Sequence, residues 1–285
     1  MRLDERAVLL VAGVDGAAAG RDAVGHLGAR LIGPVAPADF AGPGAADVVL
    51  IEAAGVADDP LAALLERAAT LDVPLVVAFD AARIDLVAAF LLDSRATLLC
   101  APTIAERVTA LAVALGDAGG RVREQDAASV AALQAEIARL VEAIARLTRD
   151  EPPPGGLADR RPLFRGEPTP TSGSAGHIRA LLRARRLRDE HFGAGLFEDP
   201  AWDMLLDLYA AELEGVRVSV SSLCIAAAVA PTTALRWIGR LSEQGLLERV
   251  PDPRDRRRAF ISLSAEATAA MARHWQARQA LLTAR

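Results

Sequence analysis

The stretch from residue 216 to 271 most constrains this chain, because its local patterns change in an order that few architectures accept. It reads "VRVSVSSLCIAAAVAPTTALRWIGRLSEQGLLERVPDPRDRRRAFISLSAEATAAM". Ser219 offers a hydroxyl to cap a short helix that runs through Ala228. After a brief turn, Pro231 stands where a first-turn proline opens a second helix. Within it Ala234, Trp237, Ile238 and Leu241 fall at i, i+3, i+4 and i+7, one buried face. Thr232, Thr233, Arg236 and Arg240 are left on the opposite side. Gly245 suits a left-handed helix cap. "LLERV" and "RAFISL" then flank "PDPRDRR" as two strands of a hairpin. Ser264 starts a last helix with Met271, Trp275 and Leu282 on one stripe. Arg278 shares that stripe, where its stem packs while the charge reaches water.

Helix, turn, helix and hairpin is the winged helix-turn-helix layout, whose second helix enters the DNA major groove N-terminus first. Thr232, Thr233 and Arg236 would then stand nearest to base edges and Arg240 nearer to the backbone. A guanidinium fork matches guanine O6 and N7, and threonine serves phosphate or a thymine methyl. Residues 219–266 resemble the DNA-binding core of MarR-type winged-helix transcriptional regulators of bacteria. The resemblance rests on "APTTALRWIGRLSEQGLLERVPDPRDRRRAFISLS", with recognition helix, glycine, strand and a D-x-x-D-x-R wing in that order. The sequence departs from that pattern at Ala228, where a turn glycine is common, and at Ala230, where a capping serine is usual.

"RVPDPRDRRRAF" (249–260) packs five arginines into ten positions of a chain whose formal net charge is −5. Two readings stand, a solvated charged turn and a wing that touches DNA. The resemblance implies that Asp252 and Asp255 brace the wing, leaving one or two of Arg254, Arg256, Arg257 and Arg258 for the minor groove or its phosphates. The candidate DNA-binding set is Ser221, Thr232, Thr233, Arg236, Arg240, Arg254, Arg256, Arg257 and Arg258. The basic run "RALLRARRLRDEH" (179–191) is a second candidate for phosphates, or a solvated helix face. The chain has no lysine, so every side-chain cation other than a histidine is a guanidinium. That suits bidentate phosphate contacts, and it equally suits GC-rich codon bias.

Charge divides unevenly. Residues 1–175 carry 16 Arg against 24 acids, and residues 176–285 carry 16 Arg against 13. An acidic front and a basic back suggest two jobs. In the front, "AVLLVAG", "ARLIG", "DVVLIEA", "PLVVAF" and "ATLLCAP" are mostly apolar runs bounded by Gly, Pro or Asp, and helix-length segments at 59–72 and 103–115 lie between or after them. Such alternation predicts an α/β doubly wound five-stranded parallel sheet. In topology and strand spacing residues 5–116 resemble the receiver domain of two-component response regulators. The resemblance implies a phosphorylated Asp at the end of the third strand, where Glu52 stands. The acidic pair after the first strand is replaced by Ala12 and Gly13, the hydroxyl after the fourth by Phe79, and the lysine before a proline by Ala101. A site without carboxylates for Mg²⁺ or a cation for the phosphoryl group does that chemistry poorly. The expectation is a degenerate receiver-like module in which Glu52 is either a fixed charge or a structural residue.

Between the two, Val130, Leu133, Ile137, Leu140, Ile144 and Leu147 are spaced three, four, three, four, three. This is an a/d seam of the kind that pairs two parallel helices, the alternative being an amphipathic helix on its own domain. Residues 150–176 are rich in Pro and Gly without periodicity, a linker. The organisation expected is 1–118 receiver-like, 119–150 coiled-coil dimerisation helix, 151–175 flexible linker and 176–285 a mostly helical α+β winged helix-turn-helix domain.

Enzyme chemistry is not expected. "VAGVDGAAAGRD" lacks the G-x-G-x-x-G spacing and the Lys-Ser/Thr of a P-loop, and "TSGSAG" is no nucleophile elbow. No metal-ligand spacing and no cofactor motif is present. Cys100 and Cys224 lie in apolar runs and are expected to be reduced and buried. With no leader or spanning segment in view, the expectation is a cytoplasmic, nucleoid-bound homodimer that regulates transcription on double-stranded DNA, without membrane contact. The alternative is a signalling adaptor whose front domain recruits a protein partner or binds a small ligand.

Overall fold

Ala7–Ala12, Val48–Glu52 and Leu75–Phe79 are short runs, apolar at nearly every position, and a strand of that kind cannot leave either face to water. In the computed structural model, which describes residues 5–119, 173–193 and 195–283, they are buried along their whole length as β1, β3 and β4. β2 (Arg30–Val35) and β5 (Thr97–Cys100) complete a parallel sheet of order β2-β1-β3-β4-β5. β2 carries Pro34, which lacks an N–H for a ladder, and it lies at an edge as that requires.

Helices cover both faces. Val24 of α1 (Ala17–Leu27) and Leu111 and Leu115 of α4 (Ile104–Gly119) pack with Val8, Leu10, Leu50 and Val76. Leu61, Leu64 and Leu65 of α2 (Asp58–Ala68) and Val87 and Leu91 of α3 (Ile84–Leu91) join Leu9, Val11, Val49, Ile51 and Val77 on the other face. This is the doubly wound, receiver-like sheet that the alternation predicts, with its strands within one or two residues of the expected runs.

The second lobe opens with α5 (Gly173–Phe192) and α6 (Pro200–Glu214). Asp199 caps α6, its side chain accepting the Trp202 N–H, and Gly215 closes the helix at φ 68°. The sequence places Trp202, Leu205, Leu206, Tyr209 and Leu213 on the core stripe of this helix. The structure buries Met204, Leu206, Leu208 and Tyr209, a wider arc than one stripe, and leaves Leu213, in the last turn of the helix, 44% exposed. Trp202 is half-buried, edge-on to His274 with ring centroids 4.8 Å apart.

A three-stranded antiparallel sheet of order β6-β8-β7 follows, built from Val218–Ser219, Ala259–Leu263 and Leu247–Pro251. Around it stand α7 (Val220–Ala227), α8 (Pro231–Glu243) and α9 (Ala265–Thr283). Met271 and Trp275 of α9 are buried, and the Arg278 guanidinium lies over the Trp275 ring at 5.1 Å, as the snorkelling argument requires.

The sequence separates the two lobes by a linker, yet Met1–Ala118 and Pro170–Arg285 form one compact unit. Their apolar side chains are continuous. Phe79, Leu86 and Cys100 of the first lobe belong to the same buried cluster as Val220, Leu223, Cys224 and Leu235 of the second. The linker and the a/d seam from Val130 to Leu147 lie outside the described residues. Among the described residues no single helix is long and apolar enough to cross a membrane.

Candidate nucleic-acid interface

Serine side chains compete for nearby backbone N–H groups and so start helices well. Ser219 does this at α7, its Oγ accepting the Ser222 N–H at 3.1 Å. Ala228 ends α7 in a left-handed conformation (φ 51°, ψ 38°), its N–H donating to the Ile225 carbonyl. The turn is therefore made without the usual glycine, and α8 leaves it at 108° to α7. That is the angle range of a helix-turn-helix.

On α8, Ala234, Leu235, Ile238 and Leu241 are buried and Trp237 is half-buried. Ala230 stands at the cap without a side-chain hydrogen bond, and Pro231 supplies the fixed φ instead. Arg236 and Arg240 are exposed, and Thr232 and Thr233 are half-buried. The Arg240 guanidinium rests over the Trp237 ring at 5.2 Å, which fixes its stem against the helix. Gly245 turns the chain out of the helix at φ 70°.

The wing is held by its aspartates. β7 and β8 pair with Val250 opposite Phe260 and Pro251 opposite Ala259. Beyond them the Asp252 N–H donates to the Arg258 carbonyl at 3.0 Å. The Asp252 carboxylate accepts the Arg254 N–H and the Asp255 carboxylate accepts the Arg257 N–H, each at 3.0 Å. Both are two-residue aspartate turns, so the bracing acts first on the backbone. Asp255 also accepts from Nε of Arg257 at 3.2 Å and lies 3.9 Å from Nε of Arg258. The Arg257 N–H and guanidinium hold the Asp255 carboxyl below its ordinary range. Arg254, Arg256, Arg257 and Arg258 are all exposed at this tip.

Three residues of the candidate set are engaged by the first lobe. Ser221 donates its N–H to Oδ1 of Asp85 at 2.9 Å and its hydroxyl to Oδ2 at 2.7 Å. Thr232 Oγ1 accepts the Cys100 N–H at 3.0 Å and donates to the Cys100 carbonyl at 3.4 Å. Arg257 Nη1 donates to Asp59 at 3.0 Å. Arg249, at the base of the wing and outside the candidate set, donates to Asp93 at 2.7 Å and to the Ala89 carbonyl. Asp59, Asp85, Asp93 and Arg249 carry no local motif. Their one signal in the sequence is the opposite charge of the two halves.

In the basic run of α5, Arg183 is exposed and the other four arginines are engaged within the lobe. Arg185 reaches the buried Asp203 at 2.5 Å and Arg186 reaches it at 3.0 Å. Arg179 is paired with Asp207 and Glu214, and Arg188 lies over the Phe197 ring at 5.0 Å. Arg179, Arg185 and Arg186 thereby tie α5 to α6.

In the first lobe the carboxyl ends of β1 and β3 form the crevice where such sheets bind ligands. Glu52 sits there, 1% exposed, with Arg107 Nε 2.7 Å and Nη2 3.2 Å from its two oxygens. Gly16 and Gly20 press on it so closely that a Cβ at either would meet the Glu52 side chain or Leu10. Burial raises the Glu52 carboxyl and Arg107 pulls it back. The charge is thus neutralised inside the fold and is not displayed as a fixed signal. Cys100 and Cys224 are buried free thiols, pushed up by burial to about 11 and about 12. Among the described residues no group of three or more His, Cys, Asp and Glu could hold a metal ion.

Residues 213–267 match the family described as "Winged helix DNA-binding domain". Among solved structures, the transcriptional regulator Tm0710 from Thermotoga maritima is similar at 24% identity over 40% of this chain and 75% of its own, with a TM-score of 0.27. A MarR mutant from E. coli complexed with operator DNA is similar at 21% identity over 33% of this chain and 66% of its own, with a TM-score of 0.22. MepR from S. aureus in its DNA-binding conformation is similar at 17% identity over 40% and 83%, with a TM-score of 0.25. No curated protein matches the chain.

Proposed function

We propose that this chain is a sequence-specific, double-stranded DNA-binding transcriptional regulator that works as a homodimer and independently of phosphorylation. The observation that carries the reading is α8 itself. It leaves α7 at 108°, buries Ala234, Leu235, Ile238 and Leu241, and keeps Arg236 and Arg240 in solvent beside a wing tipped with exposed arginines. Such a helix lies in the major groove, with Thr232, Thr233 and Arg236 at its leading end and the wing over the adjacent backbone.

Phosphorylation independence is supported by Glu52, a residue that accepts no phosphoryl group from a phosphohistidine partner and is already closed by Arg107. The dimer rests on the a/d seam from Val130 to Leu147 and predicts two half-sites about one helical turn, or a multiple of it, apart.

Selection of binding sites from random DNA, followed by salt titration, tests the reading. The expected result is an enriched two-part motif whose affinity falls steeply with salt as counterions are released. Absence of any enriched motif ends it. Labelling of the first lobe by acetyl phosphate ends the claim of phosphorylation independence.

A further inference from the structure

The side chains that face DNA in the reading above are partly spoken for by the first lobe. Ser221 lies in the first turn of α7, where backbone N–H groups have no partner within the helix. There Asp85 takes one N–H and one hydroxyl with its two oxygens, at 2.9 and 2.7 Å. A phosphate seated on a helix N-terminus makes the same pair of contacts. Arg249 and Arg257, at the base and tip of the wing, meet Asp93 and Asp59 at 2.7 and 3.0 Å. Thr232, second residue of the recognition helix, spends its hydroxyl on both backbone groups of Cys100.

We propose that the first lobe is a built-in competitor for DNA, in which Asp85, Asp93 and Asp59 stand where backbone phosphates would lie, and Ser221, Thr232, Arg249 and Arg257 are released to join the exposed arginines only when the lobes part. The inference rests on the DNA-binding reading and adds its regulation. Two features give the contact weight beyond surface pairing. It is continuous with buried apolar packing, since α3 and β5 lie against α7 and α8 with Leu86, Leu223 and Leu235 in one cluster. It also joins the acidic half of the sequence to its basic half, so the charges that repel DNA from the front are those that attract the wing.

The members are unequal. Asp59 is 88% exposed and its pair with Arg257 is a weak, salt-screened contact. Asp85 is half-buried and bound twice, and Arg249 is held by both Asp93 and the Ala89 carbonyl. Asp85 and Asp93 are therefore the latch, and the DNA-contacting arginines of the candidate set need not be altered to open it.

The test uses the full chain and a pool of random-sequence duplexes about three helical turns long, read by fluorescence anisotropy. Asp85→Ala with Asp93→Ala is expected to bind at least about tenfold more tightly than the wild type, because the competent fraction rises. Amide exchange in residues 219–223 and 231–235 is expected to quicken in the same variant. A control that removes two acids elsewhere, Asp22→Ala with Glu66→Ala, is expected to tighten binding by less than about twofold. Asp85→Asn with Asp93→Asn keeps the shape and removes the charge, and serves where the alanine pair folds poorly. Equal affinity of latch variant and wild type, or an equal gain in the control, overturns the inference and leaves the DNA-binding reading intact. If neither wild type nor latch variant binds DNA, the reading falls and the inference falls with it.

Discussion

Arg107, in the first turn of α4, closes on Glu52 at the end of β3 with two nitrogens, 2.7 and 3.2 Å from the carboxylate oxygens. The pair sits in the crevice between β1 and β3, where a receiver would hold its phosphoryl chemistry, and it fills that place with a closed ion pair. Removing one partner of a buried pair strands the other, which costs about 3–5 kcal/mol. Arg107→Met is therefore expected to lower the stability of the chain by that order in urea unfolding. Adding Glu52→Gln to the same chain is expected to recover most of the loss, because no buried charge is then left alone.

Asp47 predicts a pH effect of definite sign. It accepts the Ala7 N–H at 2.8 Å and an Arg6 guanidinium N–H, fastening the start of β3 to the start of β1. The Ala7 N–H is the larger cause and the Arg6 contact adds to it, and together they hold the carboxyl below its ordinary 3.8. A carboxyl lowered by folding stabilises above its unfolded value, and that contribution is lost as pH falls through the folded one. Asp47→Asn is expected to cost about 1–2 kcal/mol at pH 7. The same variant should flatten the fall in melting temperature below about pH 4.

These two pairs also mark what a single sequence can and cannot say. The strands were legible because β1, β3 and β4 are buried on both faces and so read as unbroken apolar runs. Helix α8 was legible because its burial repeats every three to four residues, and the hairpin tip because aspartate turns are local. Ser221 and Asp85 are 136 positions apart, and no periodicity reports a partner at that distance. The pairing of Arg179, Arg185 and Arg186 was not legible for a related reason. Their acids, Asp203 and Asp207, lie on the next helix, and a buried Asp203 looks like any polar residue in the pattern of α6. Leu213 failed in the other direction, since a stripe shows which residues share a face and not how far the neighbours reach.

The turn between α7 and α8 departs from the usual residues at two places, and each departure is correctable. Ala228 holds φ at 51°, a conformation that costs a residue with a Cβ about 1–2 kcal/mol. Ala230 gives α8 no side-chain cap. Ala230→Ser is expected to add about 0.5–1 kcal/mol by accepting a first-turn N–H. Ala228→Gly is expected to gain about 0.5 kcal/mol, the relief of the Cβ being offset by added unfolded-state freedom. Denaturant midpoints of the two variants and their double check both figures. A loss of stability at Ala228→Gly would mean that the turn is not strained.

Arg236 and Arg256 separate base reading from backbone attraction. Arg236 is exposed in the second turn of α8, on the face opposite Ala234 and Ile238, and in the proposed reading its guanidinium fork meets a base edge. Arg256 is exposed at the wing tip, inside the turn that Asp255 closes onto the Arg257 N–H, and in the proposed reading it adds charge without a defined base partner. On a selected site, Arg236→Ala is expected to cost about 1–3 kcal/mol and to flatten the preference at one or two positions. Arg256→Ala is expected to weaken binding to all sequences alike and to reduce the salt slope by about one. Binding measured across a panel of single-base site variants and across a salt series distinguishes the two. An equal loss on every sequence for both variants would place α8 in the groove with a different register, its Thr232 and Thr233 end turned away from the bases.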